Sequence, residues 1–276
     1  MRLKQEPIGR ALTKLEPSLI ELPLAPELVA RLCEDHFEGD PLVPGAHLIG
    51  LAVEAGERLG GAVARVRRAS FRAALRPDMR GTRVRATKRA QARSRAEILA
   101  AEGEQLALVE LAHGELTQLE ALEIEAGQGG AACGPLGDPE QVRRRLRHGP
   151  RALVVSRMHA ALGERGREGG HFEGLERPRW HWCELLDGAA QAAGLCLRIG
   201  DEGSGPPRAV YVAAYEQLEL GAGSREGWAG APWFRVRRGR RIMGLQQFDL
   251  SVEDAARTVT LLRARVTLAS AEGMRG

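Results

Sequence analysis

His36-Phe37-Glu38-Gly39-Asp40-Pro41-Leu42-Val43-Pro44-Gly45 sets two prolines and two glycines around one histidine. Proline fixes φ and glycine permits sharp turns, so this loop holds a single imidazole at a set place. Pro44-Gly45 then opens a helix, whose first N–H groups lack intrahelical partners and whose positive end can polarise a carbonyl. From Ala46 to Leu59 apolar residues recur at helical spacing, with few long polar side chains on most faces. A helix of this kind needs a sheet wrapped around it rather than packed along one stripe.

The flanking segments can supply that sheet. Leu19 to Leu24 reads as a short strand, and Val63–Leu75, Thr82–Ala90, Arg95–Ala101 and Leu106–Leu116 alternate between Gly, Pro and Asp breaks. The same order then recurs: a strongly apolar helix at Glu184–Leu197, then strands at Val210–Leu220, Trp233–Arg238, Arg241–Ser251 and Val259–Leu268. Ala126-Gly127-Gln128-Gly129-Gly130-Ala131-Ala132, followed by Gly134-Pro135 and Gly137-Asp138-Pro139, has linker composition. The expected organisation is therefore α+β, with a unit over 1–125, a linker over 126–150 and a second unit over 151–276. Each unit is one helix swaddled by an antiparallel sheet, and pairing the two sheets edge to edge removes two exposed edges within one chain.

At every fixed position the loop resembles the His-Phe-x-Gly-x-Pro-x-x-Pro-Gly signature of bacterial 3-hydroxyacyl-acyl-carrier-protein dehydratases, which have the hotdog fold. The resemblance implies that His36 abstracts the α-proton of a thioester and that the Gly45 N–H binds its carbonyl oxygen. Val43 and Pro44 would support the substrate. Dehydration also needs an acid, because hydroxide is a poor leaving group. In single-hotdog enzymes a Glu or Asp stands fourteen positions after the histidine, and here that position is Gly50. Glu54, one turn later, is a substitute of different direction.

The second helix carries Leu185-Leu186-Asp187-Gly188-Ala189-Ala190-Gln191, which resembles the Leu-Asp-x-x-x-Gln segment of dehydratase domains from modular polyketide synthases. Those domains are double hotdogs. The four-residue spacing puts Gln191 on the face of Asp187, where its amide can hold the carboxyl. Among Leu, Ala and Gly the carboxyl should be desolvated and its pKa raised, which suits a general acid. The alternative is that Asp187 caps a helix starting at Gly188. Family members build each site from the histidine of one unit and the carboxylate of the other. His36 and Asp187 then make one centre, and Gly50 leaves the second pseudo-site without an acid.

Pro44 to Gly56 is similar to the Pro-Gly-x-x-x-x-Glu-x-Ala run of those domains, and Met158 to Leu175 to their segment ending Tyr-Gly-Pro-x-Phe-Gln-Gly-Leu, though without its Tyr and Pro. The family's His-Pro before the second helix is altered to His181-Trp182. His171-Phe172-Glu173-Gly174 repeats the first four loop residues, but no prolines follow in register, so a loop residue or vestigial site is expected. His47, His113, His148 and His159 lack ligand-type spacing, and no phosphate loop or dinucleotide fingerprint occurs. Chemistry without metal or cofactor is expected, the substrate being carried on phosphopantetheine. Trp180, Trp182, Trp228 and Trp233 read as core rather than tunnel lining, and Arg76-Pro77-Asp78-Met79-Arg80-Gly81 as a structural turn.

The 276 residues are 43% hydrophobic and 28% charged, a globular composition. The start, Met1-Arg2-Leu3-Lys4-Gln5-Glu6-Pro7, lacks the apolar run of a secretory signal, and no long apolar segment follows, so a soluble cytoplasmic protein is expected. Cys33, Cys133, Cys183 and Cys196 form no Cys-x-x-Cys pair and read as reduced packing residues. The net charge of +4 is concentrated in arginine clusters at 65–68, 143–147 and 235–241, which read as an arginine-rich composition on solvated strand faces or as patches that can steer an acidic partner. The resemblance names that partner as an acyl-carrier protein, with polyketide synthase modules around it. At 4% aromatic residues and with no recognised motif, nucleic acid is not expected. A monomeric pseudo-dimer or a homodimer would serve equally. The expected reaction is dehydration of a 3-hydroxyacyl thioester to a 2-enoyl thioester in polyketide or fatty-acid-like biosynthesis. The alternatives are an enoyl isomerase or oxa-Michael cyclase at the same site, or a non-catalytic hotdog partner of a synthase complex.

Overall fold

The computed structural model describes residues 18–34, 36, 41–90, 92–123, 139–146, 148–162, 168–198, 210–225 and 227–270. The first half runs β1 (Leu19–Pro23), α1 (Pro26–Cys33), α2 (Gly45–Gly60), β2 (Val63–Phe71), β3 (Arg83–Ala90), β4 (Arg93–Leu99) and β5 (Gln105–His113). The second runs α3 (Pro139–Leu146), β6 (Val155–Leu162), β7 (Gly169–Gly174), β8 (Arg177–Trp180), α4 (Trp182–Arg198), β9 (Val210–Leu220), β10 (Trp228–Gly230), β11 (Trp233–Ile242), β12 (Leu245–Glu253) and β13 (Thr260–Ser270).

One antiparallel sheet joins eleven strands in the order β1-β3-β4-β5-β2-β9-β13-β12-β11-β7-β6. The halves meet at β2 and β9, where Val66 pairs with Leu218 and Ala69 with Tyr215. That pairing satisfies the backbone groups of what would otherwise be two open edges. Arg65 and Glu219, opposite one another across the seam, form an ion pair. The first half also reaches over the second: Thr117 bridges to Gly221, Leu119 to Thr260, and Leu122 N–H donates to Ser251 Oγ at 3.2 Å.

Each half wraps its sheet around one helix. In α2 the buried residues include Leu48, Ile49, Ala52, Val53, Ala55 and Leu59, and the helix ends at Gly61, whose φ of 80° only glycine adopts freely. In α4 every residue from Leu185 to Cys196 is buried. The two helices pack against each other, and a Cβ added at Gly50 would lie 2.4 Å from Cys183 Sγ.

Three expectations are adjusted. The strand read as ending at Arg238 continues through Gly239 to Ile242, and the turn lies at Met243-Gly244, whose φ values are 48° and 82°. Both being positive, this two-residue turn matches the twist of its strands. The repeated His171-Phe172-Glu173-Gly174 lies in β7 rather than a loop, with Phe172 fully buried. Within the stretch read as a linker, residues 139–146 form α3, while 124–138 lie outside the described residues, as do 37–40 of the histidine loop and Cys133.

Candidate active site

His36 follows α1, with its N–H donating to Cys33 O at 3.1 Å. The chain then reaches Val43, whose N–H donates to Leu75 O at 2.9 Å, and Pro44, which precedes the first residue of α2. No side chain caps that helix, and Gly45 lines a cavity. A Cβ at Gly45 would come within 2.8 Å of the Phe71 ring, so a larger residue there would have to displace that ring.

Asp187 stands in the second turn of α4, which starts at Trp182, so it is not a helix cap. His181 opens that helix instead, its N–H donating to Glu184 Oε2 at 2.7 Å. The Gln191 amide donates to Asp187 Oδ2 at 2.8 Å and to Ala152 O at 2.8 Å, while its own oxygen accepts the Val154 N–H at 2.9 Å. Three contacts therefore fix the amide that holds the carboxyl.

Across the seam His36 Nε2 lies 3.4 Å from Asp187 Oδ2, with both residues 7% exposed. Burial pushes the Asp187 carboxyl up. The hydrogen bond with His36 and the charges of His36, His148 and His47 outweigh that push and hold it at about 2, below its ordinary 3.8. This corrects the expectation of a raised value: the sequence showed the apolar neighbours but not the three imidazoles. A cavity of about 470 Å³ opens on the pair, bounded by Leu48, Phe71, Leu146, Ala190, Val212 and Leu268. A smaller one of about 220 Å³ reaches it from the side of Arg31, Arg151 and Arg177.

Solved structures share this fold over nearly the whole chain. The dehydratase domain of a mycocerosic acid synthase-like polyketide synthase superposes with a TM-score of 0.68 at 18% identity, covering 91% of this chain and 90% of that one. The fold is the double hotdog. The dehydratase domain of PpsC from Mycobacterium tuberculosis, solved in complex with C12:1-CoA, gives 0.66 at 18% identity over 91% and 93%. The bifunctional dehydratase-cyclase domain of ambruticin biosynthesis gives 0.61 at 20% over 93% and 92%. No protein-family model and no curated protein matches the sequence.

Within this double hotdog the remaining candidates fall into place. Glu54 is exposed and paired with Arg58 at 2.6 Å, away from His36. Gly50 faces Cys183, so the position complementary to a second site is occupied by helix packing. His171 pairs in register with Arg235 and Ala160. Trp180 is 1% exposed, and no tryptophan borders either cavity.

His148 is the residue that sequence reasoning missed. Its ring centroid lies 5.5 Å from that of His36, and its Nδ1–H donates to Leu146 O at 2.8 Å. Gly149-Pro150, which follows it, is a turn signal that lies ahead of the stretch from Met158 to Leu175. The latter stretch holds β6 and β7. His47 also approaches, with ring centroids 6.0 Å apart, and burial holds its imidazole below 6.5.

Proposed function

We propose that this chain removes water from a 3-hydroxyacyl thioester to give a 2-enoyl thioester, in polyketide or fatty-acid-like biosynthesis. The observation that carries the reading is the buried contact of 3.4 Å between His36 Nε2 and Asp187 Oδ2, contributed by opposite halves at the edge of the cavity. The thioester carbonyl sits at the start of α2, where the Gly45 N–H and the helix dipole stabilise the developing oxyanion. His36 takes the α-proton, the C–O bond breaks, and Asp187 gives a proton to the departing hydroxyl, which leaves as water. The proton on His36 then returns to Asp187 across their contact, resetting the site.

The imidazoles around Asp187 favour its ionised form. The acid form is reached when the thioester displaces water, because an ionised carboxylate is costly in a dry cavity. No step calls for a cofactor.

Two features support a carrier-borne substrate. Leu268, which borders the cavity, pairs with Gln246, next to the β11–β12 turn. At that turn Arg240, Arg241, Ile242 and Met243 are exposed, Met243 at 96%. Basic and apolar groups beside the mouth suit an acidic carrier that delivers phosphopantetheine. The cluster on α3 suits this less, since Glu140 already holds Arg143 and Arg144 at 2.9 and 3.0 Å. Cys33 and Cys183 are free thiols, in keeping with a cytoplasmic setting, and among the described residues no helix is long and apolar enough to cross a membrane.

Incubation with a 3-hydroxyacyl carrier protein, with the acyl mass followed, tests the reading. Loss of one water, abolished in His36→Ala and Asp187→Asn, is the expected result. Unchanged mass across several acyl chains would reject dehydration. The likeness to a dehydratase-cyclase favours a second reading, ring closure on the new double bond, which would show as loss of water without lasting enoyl absorbance.

A further inference from the structure

His36, His148 and Asp187 come from the loop after α1, the segment after α3 and the second turn of α4, yet each offers one ligand atom and all three atoms lie within 4.8 Å of one another. All three residues are buried. The 3.4 Å between His36 Nε2 and Asp187 Oδ2 is close to the ~3.3 Å that separates two ligands on a tetrahedral zinc with bonds of ~2.0 Å. Two imidazoles and one carboxylate suit zinc-class ions rather than magnesium or calcium, which prefer all-oxygen shells. The supporting contacts are those a metal site uses: His148 Nδ1–H on Leu146 O places the basic electron pair on Nε2, and the Gln191 amide holds Asp187. Both cavities reach the cluster, giving an ion a path in and leaving a fourth position open.

We propose that the reaction centre is also a site for an exchangeable zinc-class divalent ion, bound by His36, His148 and Asp187, that excludes substrate. Exchangeability follows from competition: Asp187 Oδ2 already accepts the Gln191 amide at 2.8 Å and lies 3.4 Å from His36 Nε2, contacts that an ion must share or break. Exclusion follows from the chemistry, because the ion takes the electron pairs of His36 and Asp187 that the two proton transfers need. Binding stands on the geometry alone, whereas inhibition rests on the dehydratase reading above.

Cobalt(II), titrated into the chelator-treated full chain, reports coordination by its visible absorption. The expected result is one equivalent with the intense bands of four-coordinate cobalt, displaced by zinc. His148→Phe should weaken binding by on the order of 100-fold, the upper range for loss of even a supporting contact. The faint bands of six-coordinate cobalt, or unchanged affinity in folded His148→Phe, would overturn the proposal. X-ray absorption of the zinc-loaded wild type gives an answer that needs no variant: two imidazoles and a carboxylate are expected, and a single imidazole or an all-oxygen shell overturns it. In the activity assay zinc should raise the apparent KM, reversibly with chelator. Four-coordinate cobalt without dehydration would sink the function and leave the metal site standing, while dehydration without cobalt binding would do the opposite.

Discussion

Asp187 lies in a run of Leu, Ala and Gly that by itself would raise its pKa, and three imidazoles from distant parts of the chain reverse the direction. Desolvation acts through whatever surrounds a group, so its sign could be argued from neighbours in sequence. The imidazole charges act through space and required the fold. Asp187→Asn keeps an amide where Gln191 can still bond, so the fold should persist while turnover falls by roughly 10²–10⁴-fold, the usual worth of a general acid. Enoyl thioester formation measures this, and wild-type turnover in the folded variant would remove Asp187 from the mechanism. Gln191→Leu should act on stability as well. It strands Val154 N–H and Ala152 O in a buried place, costing about 1–3 kcal/mol for each partner left unmet, readable as a lowered denaturant midpoint.

Among the elements, α2 and α4 show how helix packing forbids a second site. Their packing puts Gly50 against Cys183 Sγ, and a Cβ added there would lie 2.4 Å from it. Gly50→Glu, which restores a carboxylate at the family position, should lower stability by about 1–3 kcal/mol through overpacking and create no second centre. A thermal scan and an assay in the Asp187→Asn background check both halves of that statement. Strand β7 carries a different kind of strain. Burial, followed by Arg235, Arg257 and His159, holds the half-buried His171 below its ordinary 6.5. A folded pKa below the unfolded one means that the unfolded chain takes up the proton more readily, so this stability is present above pH 6.5 and lost as pH falls through the folded value. His171→Gln should flatten the fall in urea midpoint below pH 6.5, and an unchanged slope would show that other groups carry it.

For the whole molecule, the seam between β2 and β9 turns two hotdog units into one body and brings a histidine and an aspartate 151 positions apart into contact. The β12–β13 register sets Gln246, next to the basic β11–β12 turn, opposite Leu268 of the cavity wall. Arg240→Glu with Arg241→Glu should lower kcat/KM on a carrier-borne substrate, more strongly at low salt, while turnover of a small soluble thioester is kept. Equal loss on both substrates would place the effect in the cavity instead. Sequence alone determined the two central helices, most of the strands that wrap them, and the His36 and Asp187 candidates, because helical spacing, alternation and a stiff Pro-Gly loop are local properties written in neighbouring residues. Tertiary structure alone decided the seam, the direction in which the Asp187 carboxyl is shifted, the blocked position at Gly50 and the arrival of His148. Each of these depends on distances between residues remote in sequence, set by how the sheets close around their helices.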